Sequence, residues 1–163
     1  MNGERPGVVF DCNVLLQAAL HDDGPAAECL RRLDQNRIIV YVSRATLKEL
    51  RAVLAYPAIR QRNPKLTDRH AAAFVDRLMF KATLVRRVRH VLGYPRAVQD
   101  EPYVDLAATA KADYLVTRDR DLLALMSGHS IVCKLFRQKT SPLRVVDPVS
   151  FLSALSSASG EFR

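Results

Sequence analysis

Apolar residues along the chain follow two rhythms. Short, mostly apolar runs occur at Val8-Val9-Phe10, Ile38 to Val42, Tyr114 to Thr117 and Leu143 to Val146. Runs of this length, rich in β-branched and aromatic residues, read as buried strands. Between them apolar residues recur every three or four positions, the period of an amphipathic helix. This predicts helices from Val14 to Leu20, from Pro25 to about Gln35, after Ser43 with Leu47, Leu50, Val53 and Leu54 on one face, and after Thr67 with Ala71, Phe74, Val75 and Leu78. Further helices are expected from Asp100 to Lys111, from Asp119 through Met126, and from Val149 to Leu155. Ser43 and Thr67 are good N-caps, Pro25 suits a first helical turn, and the helix after Ser43 must stop before Pro57. The stretch from Thr83 to Val91 mixes Val with Arg86, Arg87 and Arg89 and reads as a short extended segment or loop. Strands alternating with helices imply an α/β fold with a parallel sheet covered by helices on both faces.

Composition narrows the class. A chain of 163 residues with 48% hydrophobic and 26% charged residues fits one globular domain, residues 1–155, with a polar tail over 156–163. Cys12, Cys29 and Cys133 are odd in number and lack a CxxC spacing, which argues against a disulfide framework or zinc site. No apolar run approaches the roughly 20 residues of a membrane span. Met1 to Pro6 is short and polar with no apolar signal segment behind it, so a cytoplasmic location is the expectation. Lys and Arg number 25 against 17 acids, a net charge of +8. That balance favours a polyanionic partner, nucleic acid or an acidic protein.

The acids give the composition its chemical direction. In a sheet of this kind ligands bind outside the carboxyl ends of the strands, near the point where strand order reverses. Asp11 follows the first strand and Asp119 lies just past the strand Tyr114 to Thr117, over a hundred residues later. Asp100 opens the helix leading into that strand, and Glu49 lies two turns into the helix after Ser43. Singly each has an ordinary explanation: Asp11 and Asp119 as helix caps, Asp100 as a helix-dipole partner, Glu49 as a surface residue. Together at one edge they repel one another unless a hard divalent cation relieves them. Such an ion takes oxygen ligands, keeps waters and binds substrate phosphate.

At these residues the chain resembles the PIN-domain family. The matching stretches are Val8 to Leu15, Ser43 to Leu50, Asp100-Glu101-Pro102-Tyr103, Ala112 to Leu123, and Asp147 to Leu152. Within the family it is most similar to toxin components of bacterial toxin–antitoxin systems. The resemblance implies a three-layer α/β/α sandwich with a central parallel sheet and Mg²⁺- or Mn²⁺-dependent endoribonuclease activity. It implies that Asp11, Glu49, Asp100 and Asp119 are the catalytic acids, with Asp11, Asp100 and Asp119 as metal ligands. Asn13 and Thr117 match supporting polar positions and Asp121 an accessory acid. Asp100 and Glu101 compete for one role; Asp100 is favoured because Tyr103 and Val104 then begin the buried face, and Asp105 is a poorer candidate. Cys12 stands where such motifs usually carry Thr or Ser, with its side chain expected to point away from Asp11. The implied partners are an RNA substrate, a cognate antitoxin protein and a second copy of the chain; no membrane is implied. The alternatives are a non-cleaving PIN-like RNA- or protein-binding module and a metal-dependent phosphatase or DNA nuclease on a similar sheet.

The remaining polar residues add little. His21, His70, His90 and His129 show no paired spacing and read as surface or capping residues. No glycine-rich phosphate loop of the GxGxxG or GxxxxGK[ST] kind occurs. Basic groups at Arg31-Arg32, Arg60 with Arg62 and Lys65, Arg86-Arg87-Arg89, and Lys134-Arg137-Lys139 read as solvated faces unless some line the acidic edge. Tyr41, Tyr56 and Tyr94 offer rings that could stack on bases or simply pack.

Overall fold

The run Gly7–Phe10 forms β1 and is buried along its whole length, as a strand covered on both faces must be. A computed structural model describes residues 4–91 and 101–160 of the chain. After β1 come helices α1 (Cys12–Leu20) and α2 (Pro25–Asp34), strand β2 (Ile39–Val42), helices α3 (Arg44–Leu54), α4 (Pro57–Arg62) and α5 (Asp68–Lys81), and the short strand β3 (Thr83–Leu84). The second half holds α6 (Glu101–Thr109), β4 (Tyr114–Val116), α7 (Arg120–Ala124), α8 (Ile131–Thr140), β5 (Arg144–Val146) and α9 (Pro148–Gly160).

All strand pairs are parallel, in the order β3-β2-β1-β4-β5. Val8 stands beside Val40 on one side and Tyr114 on the other, and Phe10 beside Val116. The chain therefore builds outward from β1 to β3, then crosses back to lay β4 on the opposite side of β1. Crossovers between parallel strands are right-handed, so this reversal sends the helices before and after it to opposite faces. The result is the expected α/β/α sandwich. The reversal also places a switch point between the carboxyl ends of β1 and β4, where neighbouring loops diverge and leave a crevice.

The core lies between sheet and helices. Val8, Val9, Val40, Leu115, Val116 and Val145 are all buried within it. The terminal helix α9 docks through Phe151, whose ring meets Tyr114 and Phe10 edge-on at centroid distances of 5.2 and 6.1 Å. Such contacts add to the burial of the rings themselves. At the start of β1 a side chain in place of Gly7 would put a Cβ only 2.8 Å from the Tyr41 ring, so any larger residue there would have to displace that ring.

Element placement differs from the sequence pattern in three respects. Helix α4 has only six residues, too few to show a period. Helix α8 leaves Ile131, Val132 and Leu135 exposed, which blurs its amphipathic pattern. Helix α9 continues to Gly160, into the stretch expected to be tail. Asp100 lies outside the described residues, as does Tyr94. Among the described residues no helix is long and apolar enough to cross a membrane.

Candidate active site at the carboxyl ends of β1 and β4

Asp11 is the first residue beyond β1 and the N-cap of α1. Its own backbone continues the ladder, donating to the Val116 carbonyl at 2.9 Å. The side chain is buried, and its Oδ1 accepts from the Cys12 amide at 2.7 Å. Its Oδ2 accepts from the Thr117 hydroxyl at 2.6 Å and from Asn13 Nδ2 at 3.4 Å. A carboxylate has about four lone-pair positions, so this leaves Asp11 with room for roughly one more partner.

Thr117 is the joint between the two strand ends. Fully buried just past β4, its hydroxyl donates to Asp11 and also accepts from the Asp119 amide at 3.0 Å. Asp119 is the N-cap of α7, its Oδ1 accepting from the Asp121 amide at 2.8 Å. Asn13 adds a second tie, accepting at Oδ1 from the Arg118 amide at 3.2 Å. Asp11 and Asp119, distant in sequence, are thus linked through one hydroxyl. Asp121 contributes its amide to that cap, while its side chain is exposed.

Glu49 approaches from α3, which a reciprocal cap between Ser43 and Thr46 starts immediately after β2. The Ser43 amide donates to Thr46 Oγ1 at 2.9 Å, and the Thr46 amide to Ser43 Oγ at 3.2 Å. This capping box fixes where the helix begins, and the half-buried Glu49 it carries lies close enough for its charge to act on Asp11. The electrostatic result is clear. Burial pushes the Asp11 carboxyl above its usual range; the bonds from Thr117 and Cys12 offset part of this, and the charges of Glu49 and Asp119 add to it.

Cys12 lies within reach of the acids' charges. Burial pushes its thiol up to about 11, and the charges of Glu49 and Asp11 contribute to the rise. Tyr103, from α6, lies beneath the same group. It is 1% exposed, and its hydroxyl has no hydrogen-bond partner of ordinary geometry among the described residues. Burial raises its pKa, and Cys12, Glu49 and Asp11 all press it the same way. The sequence marked Tyr103 as a core residue and gave no sign that its hydroxyl would stand near the acids.

Among the described residues no three His, Cys, Asp or Glu side chains are close enough to hold a metal ion by themselves. The donor set nevertheless fits a hard cation. Mg²⁺ is commonly held by one or two carboxylates, with water and substrate phosphate completing the shell. Asp11 and Asp119 supply oxygen donors, and the raised pKa of Asp11 is the strain that a cation would relieve. Asp105, read as a poorer third acid, is buried and turned to other partners: it accepts from His90 Nδ1 at 2.9 Å and from the Val91 amide at 3.0 Å. His70 bonds the Ala19 carbonyl at 2.9 Å. Arg31 and Arg32 are paired with Glu28 on their own helix, and Arg60 with Asp68.

No curated protein matches the chain. The PIN-domain family matches it over residues 7–121, from the first residue of β1 to the first turn of α7. That span is well over half of the chain and contains Asp11, Glu49, Thr117 and Asp119, so the chain belongs to the PIN-domain family, whose members are commonly nucleases.

Proposed function

We propose that this protein is a metal-dependent endoribonuclease and the toxin half of a toxin–antitoxin pair. The observation that carries the reading is the Asp11–Thr117–Asp119 linkage at the switch point of the sheet, with the charge of Glu49 bearing on it. Asp11 and Asp119 would hold Mg²⁺ or Mn²⁺, with Asp100 as a further ligand contributed from the residue before α6. Bound there, the ion would polarise a phosphodiester and lower the pKa of a coordinated water. Glu49 would serve as the general base toward the attacking water. Thr117 and Asn13 would keep the Asp11 carboxylate aimed while leaving it one open lone-pair direction.

The net charge of +8 supports a polyanionic substrate and an acidic partner. RNA supplies the first, and an antitoxin with an acidic segment the second. The test is direct. Titrating Mn²⁺ into the EDTA-treated protein should raise its melting temperature, and the loaded protein should cut single-stranded RNA internally. Cleavage of RNA that persists undiminished in excess EDTA would sink the reading.

A further inference from the structure

Beside the acidic edge lies a cavity of about 440 Å³, within the range of small-ligand sites, roughly 300–1,000 Å³. It opens at the carboxyl ends of β2 and β3, between Ser43 at the start of α3 and Pro102 in the first turn of α6. Adjacent strands are about 4.8 Å apart. The cavity therefore sits one to two strands from Asp11, or roughly 10 Å away, close enough for one polynucleotide strand to occupy both.

The residues around it have a definite chemistry. Val85 and Val88 give it apolar walls, and Arg44 and Arg86 also line it. Both arginines are exposed, and neither is paired with an acid among the described residues. His90 stands at the rim with its side chain 87% exposed, while the Asp105 side chain behind it is only 7% exposed. Both Asp105 oxygens are engaged, one by His90 Nδ1 and the other by the Val91 amide. The backbone of Arg89 is tied too, donating to Thr109 Oγ1 at 3.0 Å.

This arrangement decides which hydrogen-bonding face His90 shows. A carboxylate only accepts, so Nδ1 carries a proton, and in the uncharged form of the ring Nε2 is left as an acceptor. A phosphate has no proton to give that form of the ring. A ribose 2′-hydroxyl does, and DNA lacks that group.

We propose that the cavity is a ribonucleotide subsite, in which Arg44 and Arg86 meet a phosphate of the RNA strand and His90, held by Asp105, accepts a hydrogen bond from the adjoining 2′-hydroxyl. The inference rests on the nuclease reading above and adds to it a residue that distinguishes RNA from DNA. His90 is a specificity residue here and takes no part in the bond cleavage.

The experiment is equilibrium binding of a labelled single-stranded RNA and its all-deoxy counterpart to the full chain in EDTA, read by fluorescence anisotropy. The unaltered protein should favour RNA. His90→Ala should weaken RNA binding roughly fivefold, the worth of one hydrogen bond, and leave DNA binding unchanged. The double variant Arg44→Ala, Arg86→Ala should weaken both ligands and lower the salt slope of log K by about 0.7, the loss of one phosphate contact on a single strand. All three residues are exposed, so these variants should keep their far-UV CD and melting temperature. The subsite is overturned if RNA does not bind, if His90→Ala weakens both ligands equally or neither, or if the arginine pair changes neither. The nuclease reading is judged separately, by Asp11-dependent RNA cleavage in Mg²⁺. Cleavage that persists while the binding results fail would remove the subsite alone.

Discussion

Two aspartates join the same pair of strands at opposite ends. Asp113 precedes β4, is exposed, and accepts at Oδ2 from the Gly7 amide at 2.8 Å, tying the start of β1 to the start of β4. Asp11 follows β1 and is tied to the far end of the same strand pair through Thr117. Both accept backbone amides and both hold the sheet together. They differ in what surrounds the charge. Asp113 meets water, whereas Asp11 is buried, and the charges of Glu49 and Asp119 add to the cost of ionising it. A carboxylate used only as a strand clasp would do better in the first setting. The second is destabilising for the isolated chain, and a site for chemistry explains why it persists.

The largest effects should separate these two residues. Asp11→Asn should lower RNA cleavage at least about a thousandfold, or roughly 4 kcal/mol of barrier, and should leave the metal-free protein no less stable. The pH dependence has a definite sign. Because the folded Asp11 carboxyl titrates above its unfolded value, its contribution to stability is greatest in acid and is lost as pH rises through the folded pKa. Asp11→Asn should flatten that part of the melting temperature–pH curve measured in EDTA. Asp113→Ala should do the opposite: cleavage close to the unaltered rate, and stability lower by about 1–2 kcal/mol from the stranded Gly7 amide. If Asp113→Ala lost activity as severely as Asp11→Asn while staying folded, the contrast between the two ends would be wrong.

Much of this contrast was legible in the sequence. The run Val8 to Phe10 ending in Asp11, and the run Tyr114 to Thr117 followed by Asp119, each place an acid at a strand end because strand direction is fixed in a parallel sheet. Ser43 announced the start of α3 and with it the position of Glu49. What the sequence could not carry were contacts that depend on how helices pack. The placement of the Tyr103 hydroxyl and the Cys12 thiol near Glu49 follows from how α1, α3 and α6 lie against one another. The bond from Asp105 to His90 spans 15 residues and no periodic pattern encodes it. Asp105 carries the same residue type as the catalytic candidates, and only its partners tell it apart.

Thr117 offers an intermediate test. It is fully buried and gives Asp11 its shortest side-chain bond while receiving the Asp119 amide. Thr117→Val keeps the shape and removes both bonds. Groups that orient a metal ligand typically contribute 10–100-fold, so cleavage should fall by about that factor, with an accompanying stability loss of roughly 1–3 kcal/mol. Weaker Mn²⁺ binding, read as a smaller metal-induced rise in melting temperature, would trace the loss to the aim of Asp11. A stability loss with unchanged metal response would make Thr117 a clasp like Asp113.

The smallest effect belongs to Tyr103, and its sign is what matters. A buried hydroxyl without a partner is unfavourable by about 1–3 kcal/mol relative to its removal, and this one, though close to Glu49 and Cys12, has no partner of ordinary geometry among the described residues. Tyr103→Phe keeps the ring and its packing. It should therefore raise the melting temperature of the metal-free protein by a few degrees, about 1 kcal/mol for a domain of this size. Cleavage should fall modestly, roughly threefold, if the hydroxyl steadies Glu49 once the site is loaded. A gain in stability with a loss in activity would place Tyr103 with Asp11, among residues whose arrangement favours chemistry over the resting fold. A fall in melting temperature would instead place it with Asp113, as a residue that holds the sandwich together.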